Sequence, residues 1–538
     1  MKRKLLLVFF TLLFIEANAQ QEIYNFSPDN TSPQFFEKFN GKIYFEGYDT
    51  NNGRALWKSD GTSENTFFFK DTHSRNDKIS TLKSGSAILN NTLYYIASDE
   101  TSAGELWKTN GTIEGTIKVT NFLNGKVTTL TVVGNVIYFI IAKGDGKTSI
   151  WKTDGTELGT VLVKEISPTW NDPSFEGKCS NLFMFSIQPA GTNNTRVWRS
   201  DGTSEGTFPI TEELDGNGSG MVGGSGGSSI LTQFIEYNNK LYFASRHFLF
   251  ETDGTVENTK NVATVRNPLL GGLVYYDDVI AVNNSLYLMF VTQKSFANTI
   301  GNISILRFDT LNNTIVSVYE KKIDKYFLAS SLTRTGNSIT FTTSNANGGT
   351  ELVSLNLSDN VVSSIGELAG ANDLEESSIA LSINLVSMLK FNENQYFIRA
   401  GRDKINNRKG WIYDLDVKTL ESISNLDNAR LPFEFNNYLY YSKDGKLWKY
   451  SNNLSIPLIE SGSSLVFYPN PATDFVNIQD EYKNEVENVQ IFDLNGKVVS
   501  GKTDFATDKI DVSRLNQGTY ILKAKVKGTV ISKKIIKN

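Results

Sequence analysis

Five stretches of the chain repeat one pattern: ALWKSDGTSENT (55–66), ELWKTNGTIEGT (105–116), SIWKTDGTELGT (149–160), RVWRSDGTSEGT (196–207) and FLFETDGTVENT (248–259). They begin 50, 44, 47 and 52 residues apart. An aromatic run precedes each of them: NGKIYFEGYD from Asn40, NNTLYYIASD from Asn90, GNVIYFIIA from Gly134, NLFMFS from Asn181 and NNKLYFASR from Asn238. The aromatic run then continues without the Asp-Gly-Thr partner, as NNSLYLMF from Asn283, GNSITFTT from Gly336, NENQYFIR from Asn392 and NNYLYYSK from Asn436. Nine units result, the later ones keeping a second strand as ILRFD, ELVSLNL, GWIYDLD and KLWKYS.

Each unit has room for four short strands, at a period near 48 residues. In the first unit these are expected at 35–39, 42–47, 55–60 and 66–72. Short strands with polar turns at that period are the pattern of propeller blades, which bury both sheet faces only by stacking around an axis. Ring closure also removes sheet edges that would otherwise pair with other chains. The predicted fold is all-β: one β-propeller of eight or nine four-stranded blades over residues 20–462, then a small β-sandwich over 463–538.

In the repeated turn, Asp60, Asn110, Asp154, Asp201 and Asp253 hold one position and Gly61, Gly111, Gly155, Gly202 and Gly254 the next. An Asp or Asn there can accept the amide two residues on and close an Asx-turn. Four residues after the glycine, Asn65, Gly115, Gly159, Gly206 and Asn258 exchange only Gly for Asn, which predicts a positive φ. Five copies at one turn describe a scaffold. Trp57, Trp107, Trp151 and Trp198 recur at one strand position and are expected to pack between blades.

Composition narrows the chemistry. Of 538 residues, 39% are hydrophobic and 12% aromatic, with 53 Lys and Arg against 58 Asp and Glu. The net charge is −5, and residues 463–538 carry 11 basic and 9 acidic side chains, so the acidic excess lies in the body. An acidic body without a basic stripe speaks against nucleic acid binding. One cysteine, Cys179, excludes a disulfide framework, and it is expected to act as a small buried apolar residue. His73 and His247 lie far apart in sequence and are expected in loops.

Residues 1–19, MKRKLLLVFFTLLFIEANA, combine Lys2, Arg3 and Lys4, an apolar run from Leu5 to Ile15, and a small-x-small site at Ala17-Asn18-Ala19. This is the signature of a secretory signal peptide, with the mature chain starting at Gln20. The run is too short to span a bilayer, which takes roughly 20 apolar residues, and no other segment is suited to crossing one.

The units with Trp and Asp-Gly-Thr resemble the ELWxxDGT repeat family of secreted bacterial proteins over residues 40–265; residues 266–460 share only the strand rhythm. That resemblance implies a propeller-like fold and no defined activity. The segment 463–538 resembles the type A sorting domain of the type IX secretion system of Bacteroidetes. The resemblance rests on Tyr468-Pro469-Asn470-Pro471, Val476-Asn477-Ile478, Ile491 to Lys497, Gly518-Thr519-Tyr520 and the basic tail from Lys533. It implies export through the periplasm and across the outer membrane, with the secretion machinery as partner through residues 463–538. The destination is release or attachment to the cell surface.

Within the sequence there is no His-Glu-x-x-His pair or phosphate loop. Trp170, in SPTWNDPSF, is the one Trp outside a repeat strand and is a candidate platform for a sugar or protein ligand. Asp215, Asn217 and Ser219, in DGNGSG, reproduce the first half of a calcium loop. Gly226 stands where the bidentate Glu is expected, so any Ca2+ affinity is weak and no other cofactor is implied. The leading expectation is a non-enzymatic secreted or cell-surface binding protein for an extracellular glycan or protein. The alternatives are an extracellular carbohydrate-active enzyme with a carboxylate pair at the propeller mouth, and a structural surface-layer component.

Overall fold

The computed structural model describes residues 20–26, 33–51, 53–71, 83–97, 104–122, 126–142, 147–167, 176–188, 195–212, 214, 234–245, 248–265, 273–295, 298–323, 330–347, 349–368, 386–400, 408–450, 467–478, 486–492, 498–500, 509–526 and 529–538. Two compact units divide the described residues: a propeller within Gln20–Ser451 and a sandwich formed by the strands from Phe467 onward.

Among the described residues the propeller has nine four-stranded antiparallel sheets. Eight are sequential meanders, here blades 1 to 8: residues 34–70, 83–118, 126–166, 176–209, 235–264, 273–323, 333–367 and 386–422. Blade 9 takes three strands from residues 430–450 and its outer strand from the other end of the chain, Gln20–Asn25. That strand pairs antiparallel with Lys446–Tyr450, placing Gln20 opposite Tyr450. The ring is closed. Blade number settles at nine, and the sequence expectation of one ring holds.

First strands lie beside one another between most neighbouring blades, as between blades 9 and 1, 1 and 2, and 2 and 3. The second strand sits between two neighbouring blades, which explains its unbroken apolar run. Lys42–Asp49, Thr92–Ala97 and Leu182–Ile187 each bury five consecutive residues instead of alternating. The Asn-Gly and Asn-Asn pairs that open these strands adopt φ of 48° and 64° at Asn40-Gly41, 49° and 54° at Asn90-Asn91, and 51° and 63° at Asn436-Asn437. Two successive positive φ values are the two-residue hairpin turn suited to the natural strand twist. Outer strands are short and largely exposed, as in Phe67–Lys70, where Phe67 faces solvent, and Lys260–Thr264.

Apolar clusters fill the seams. Phe39, Tyr44 and Leu56 of blade 1 meet Leu93, Tyr95 and Trp107 of blade 2. Ile23 and Phe26 join Phe435, Tyr440 and Leu447 of blade 9 against Phe45 and Trp57 of blade 1. Blades 8 and 9 meet through the rings of Phe391 and Tyr450, edge-on at 6.3 Å. The four repeated tryptophans all pack at seams, as their spacing implied.

In the second unit a three-stranded sheet, Phe467–Tyr468, Phe475–Ile478 and Lys509–Asp511, faces a four-stranded one. Val476 and Ile510 of the first pack with Val489, Ile491, Leu522 and Ile535 of the second. Gly518–Val526 and Thr529–Lys537 pair as a hairpin, with Val526 opposite Thr529. The expected Asn495-Gly496 turn and the Ser461–Ser464 linker lie outside the described residues.

The closing strand makes a sharp stability prediction. Phe26 is 1% exposed at the seam where the ring shuts, so Phe26→Ala should cost about 3–5 kcal/mol. Removing residues 20–26 should also expose the ring to limited proteolysis at blade 9. A truncated chain that melts like the parent would show that blade 9 does not need its outer strand.

Candidate functional site

Antiparallel blades put the first-to-second and third-to-fourth turns on one rim of the ring, and this rim carries the repeated sequence. In blade 1 the Asp60 Oδ1 accepts from the Thr62 amide at 3.0 Å and the Thr62 hydroxyl at 2.7 Å. The Ser59 and Thr66 hydroxyls lie 2.7 Å apart, and the Gly61 amide donates to Ser59 Oγ. The same bonds recur around Asn110, Asp154, Asp201 and Asp253. The Thr156 and Thr203 hydroxyls are the largest cause holding the Asp154 and Asp201 carboxyls below their ordinary range. These side chains are engaged within their own turns, as the scaffold reading required.

The positive φ falls elsewhere than expected. It is Gly61, Gly111, Gly155, Gly202 and Gly254 that lie between 89° and 96°, whereas Asn65, Gly115, Gly159, Gly206 and Asn258 do not have positive φ. The Gly-for-Asn exchange has a different cause. A Cβ on Gly159 would stand 2.1 Å from Asp154 Oδ1. Where Asn replaces Gly, its amide instead donates to the Asp carboxylate, Asn65 at 2.8 Å and Asn258 at 2.7 Å. Space or a compensating bond is what the position demands.

The positive-φ glycines turn their carbonyls to the preceding blade. Lys58 Nζ donates to the Gly111 carbonyl at 2.9 Å, Lys108 to Gly155 at 2.7 Å, Lys152 to Gly202 at 2.8 Å and Arg199 to Gly254 at 3.1 Å. At the closure the Tyr440 hydroxyl donates to the Gly61 carbonyl at 3.3 Å. Second-strand tyrosines lie against four of these glycines, with Leu182 in that place at Gly254, so a Cβ on Gly155 would stand 1.9 Å from Tyr94 Oη. Among the described residues the repeated indole N–H groups have no protein acceptor, and Trp57 is only 2% exposed. These tryptophans are packing groups.

The first strands carry a different set of acids. Burial raises Glu37, opposed by the Ser86 hydroxyl of the next blade. It raises Asp278 too, although Asp278 accepts the Leu332 amide of blade 7 at 2.6 Å. The strongest case is Glu176 of blade 4, pushed up to about 7 by burial, with the Thr129 hydroxyl of blade 3 opposing. On the opposite sign, burial and then the charges of Arg408 and Arg430 bring Arg399 down to about 10.

A shallow pocket of about 530 Å³ opens on the turn rim across blades 9, 1 and 2. Its wall includes Lys38, Asn40, Asn91, Glu434, Asn436 and Asn437. Lys38 and Glu434 form an ion pair across the closing seam. Buried Phe39 and Phe435 also line it, and Ile88, 51% exposed, adds an apolar surface. Sequence reasoning missed this pocket, because its residues are turn formers drawn from opposite ends of the chain.

Trp170, Asp215, Asn217, Ser219, His73 and His247 all lie outside the described residues. Cys179 ends the strand Glu176–Cys179 and is fully buried beside Met184 and Phe243. Burial raises its thiol to about 11, as befits an inert packing residue. Among the described residues no group of three or more His, Cys, Asp or Glu is placed to hold a metal ion. Nor is any helix there long and apolar enough to cross a membrane.

A closed β-propeller joined to a small β-sandwich defines the class of protein. Residues 466–538 match the family of secretion system C-terminal sorting domains, so the chain is a secreted propeller protein exported by the type IX system. Comparison with curated protein sequences gives no match. Among solved structures, a prolyl endopeptidase is 12% identical over 73% of this chain, with a TM-score of 0.37. This chain spans 55% of that enzyme. The WD40 domain of SCAP from fission yeast is 10% identical over 80% of this chain and 97% of its own, with a TM-score of 0.36. A puromycin-hydrolyzing peptidase from Mycobacterium tuberculosis is 10% identical over 69% of this chain and 58% of its own, with a TM-score of 0.33. Likeness this distant transfers no activity.

Two predictions test the rim and the first-strand acids. Gly155→Ala combines a forbidden φ with a clash against Tyr94 and should cost about 2–3 kcal/mol; Tyr94→Phe in the same chain should recover part of it in thermal melts. For Glu176, the folded pKa of about 7 exceeds the ordinary 4.5. Its contribution to stability is therefore complete below pH 4.5 and is lost as pH rises through 7. Glu176→Gln should flatten the melting temperature across that window and leave the variant the more stable above pH 8. A slope that is the same with and without Glu176 would refute the burial.

Proposed function

We propose that the protein is a non-catalytic binding protein, presented outside the cell on a nine-blade ring. The supporting observation is the contrast on the turn rim. The repeated Asp, Thr and Lys side chains are engaged in holding turns and blades. By contrast, the side-chain amides of Asn40, Asn91, Asn436 and Asn437 line an open pocket and bond no protein group among the described residues, although the Asn437 backbone N–H donates to Glu434 Oε1 at 3.1 Å. Polar groups left over at a concave site are those a ligand engages. The ligand is an extracellular glycan or protein. The mature chain, tested on glycan arrays and on intact cells, should bind at least one class saturably; absence of binding to both would overturn the reading.

Glu176 favours one rival. A carboxyl with a pKa near 7 suits a glycosidase acid, which needs a second carboxylate about 5–5.5 Å or 6.5–9.5 Å away. Glycoside hydrolysis by the purified chain, abolished in Glu176→Gln, would establish that enzyme in place of the binding protein.

Export through residues 463–538 predicts a separable phenotype. A chain ending at Ser461 should accumulate in the periplasm and melt like the full protein. Normal surface delivery of that truncation would remove the sorting role.

A further inference from the structure

We infer that the rim pocket across blades 9, 1 and 2 is the ligand site, and that it takes an uncharged saccharide. This rests on the binding-protein reading above and adds a place and a ligand class to it. Turn geometry accounts for asparagine at these positions, since Asn40, Asn91, Asn436 and Asn437 all have φ between 48° and 63°. Ring closure sets the turn of blade 9 beside the consecutive turns of blades 1 and 2, and these three first-to-second turns bring four exposed side-chain amides to one concavity.

Each amide offers two donors and one acceptor oxygen, the mixture that sugar hydroxyls match. Charge points the same way. Lys38 and Glu434 neutralise each other across the seam, and the Lys38 ammonium also lies 5.2 Å from the Phe433 ring centroid. A charged ligand would have to break that pair, while a neutral one can bond to its outer atoms. Ile88, half-exposed at the lip, offers an apolar surface for the C–H face of a pyranose. A volume of about 530 Å³ is within the range of small-ligand sites.

The test uses the full mature chain and an array of neutral gluco-, manno- and galacto-oligosaccharides beside their sulfated and sialylated counterparts. Asn91→Gly with Asn436→Gly removes two amides and keeps the turn conformation. Asn239→Gly makes the same change at a turn of blade 5 outside the pocket, where φ is 60°. Binding to neutral oligosaccharides, weakened at least tenfold in the double variant and unchanged in Asn239→Gly at equal melting temperature, is the expected result. Equal binding by the double variant would overturn the site and leave the binding function standing. Preference for the charged sugars would overturn the ligand class. Binding to cells or proteins with no sugar bound would overturn the inference alone, and no binding to anything would overturn both.

Discussion

A cation on one blade bonded to a glycine carbonyl on the next is the contact that gives the ring its regularity. Lys58, Lys108, Lys152 and Arg199 each stand one residue after the repeated Trp, and each reaches the next blade's turn. The carbonyl faces the cation because its glycine adopts φ near 90°. That conformation is held by the preceding Asp or Asn, which bonds the amide two residues on. The missing Cβ then leaves room for the neighbour's tyrosine. Trp, Lys, Asp and Gly are thus one device, and each residue type has meaning only beside the others.

Blades 6 to 9 dispense with part of this device and stay in register by other means. Asp309 and Asp414 still accept the amide two residues on, so the Asx-turn outlives its glycine. Lys321 reaches the Ser344 carbonyl of blade 7, and Asp278 accepts the Leu332 amide. Larger apolar clusters, such as Tyr287, Met289 and Ile305 with Phe341 and Val353, fill the seam. Two-sided burial of the second strand is the demand common to all nine blades. It is also the feature that survives in the sequence where the turn does not.

That difference sets what could be read from residues alone. Local signals, the Asn-Gly and Asn-Asn turns and the aromatic runs, locate each blade because they describe neighbours in sequence. Gln20–Asn25 escaped that reading, because a lone outer strand has no repeat partner beside it; its one mark is Ile23, 2% exposed, between polar residues. The φ assignment at Asn65 and Gly159 failed for a related reason. Gly-for-Asn exchange reports either backbone strain or a crowded side chain, and only the Asp154 carboxylate beside Gly159 tells them apart. The pocket was invisible, since Lys38 and Glu434 meet only when the ring closes.

Closure also brings the two ends of the described propeller together. The described propeller starts at Gln20 and ends at Tyr450, and those two residues face each other in blade 9. Both ends of the ring therefore leave from the same pair of adjacent strands. Without the strap, blade 9 would be a three-stranded sheet with Lys446–Tyr450 as a bare edge, which is the kind of edge that pairs with other chains. The strand from the start of the chain thus finishes the last blade and at the same time protects a secreted β-protein from aggregation.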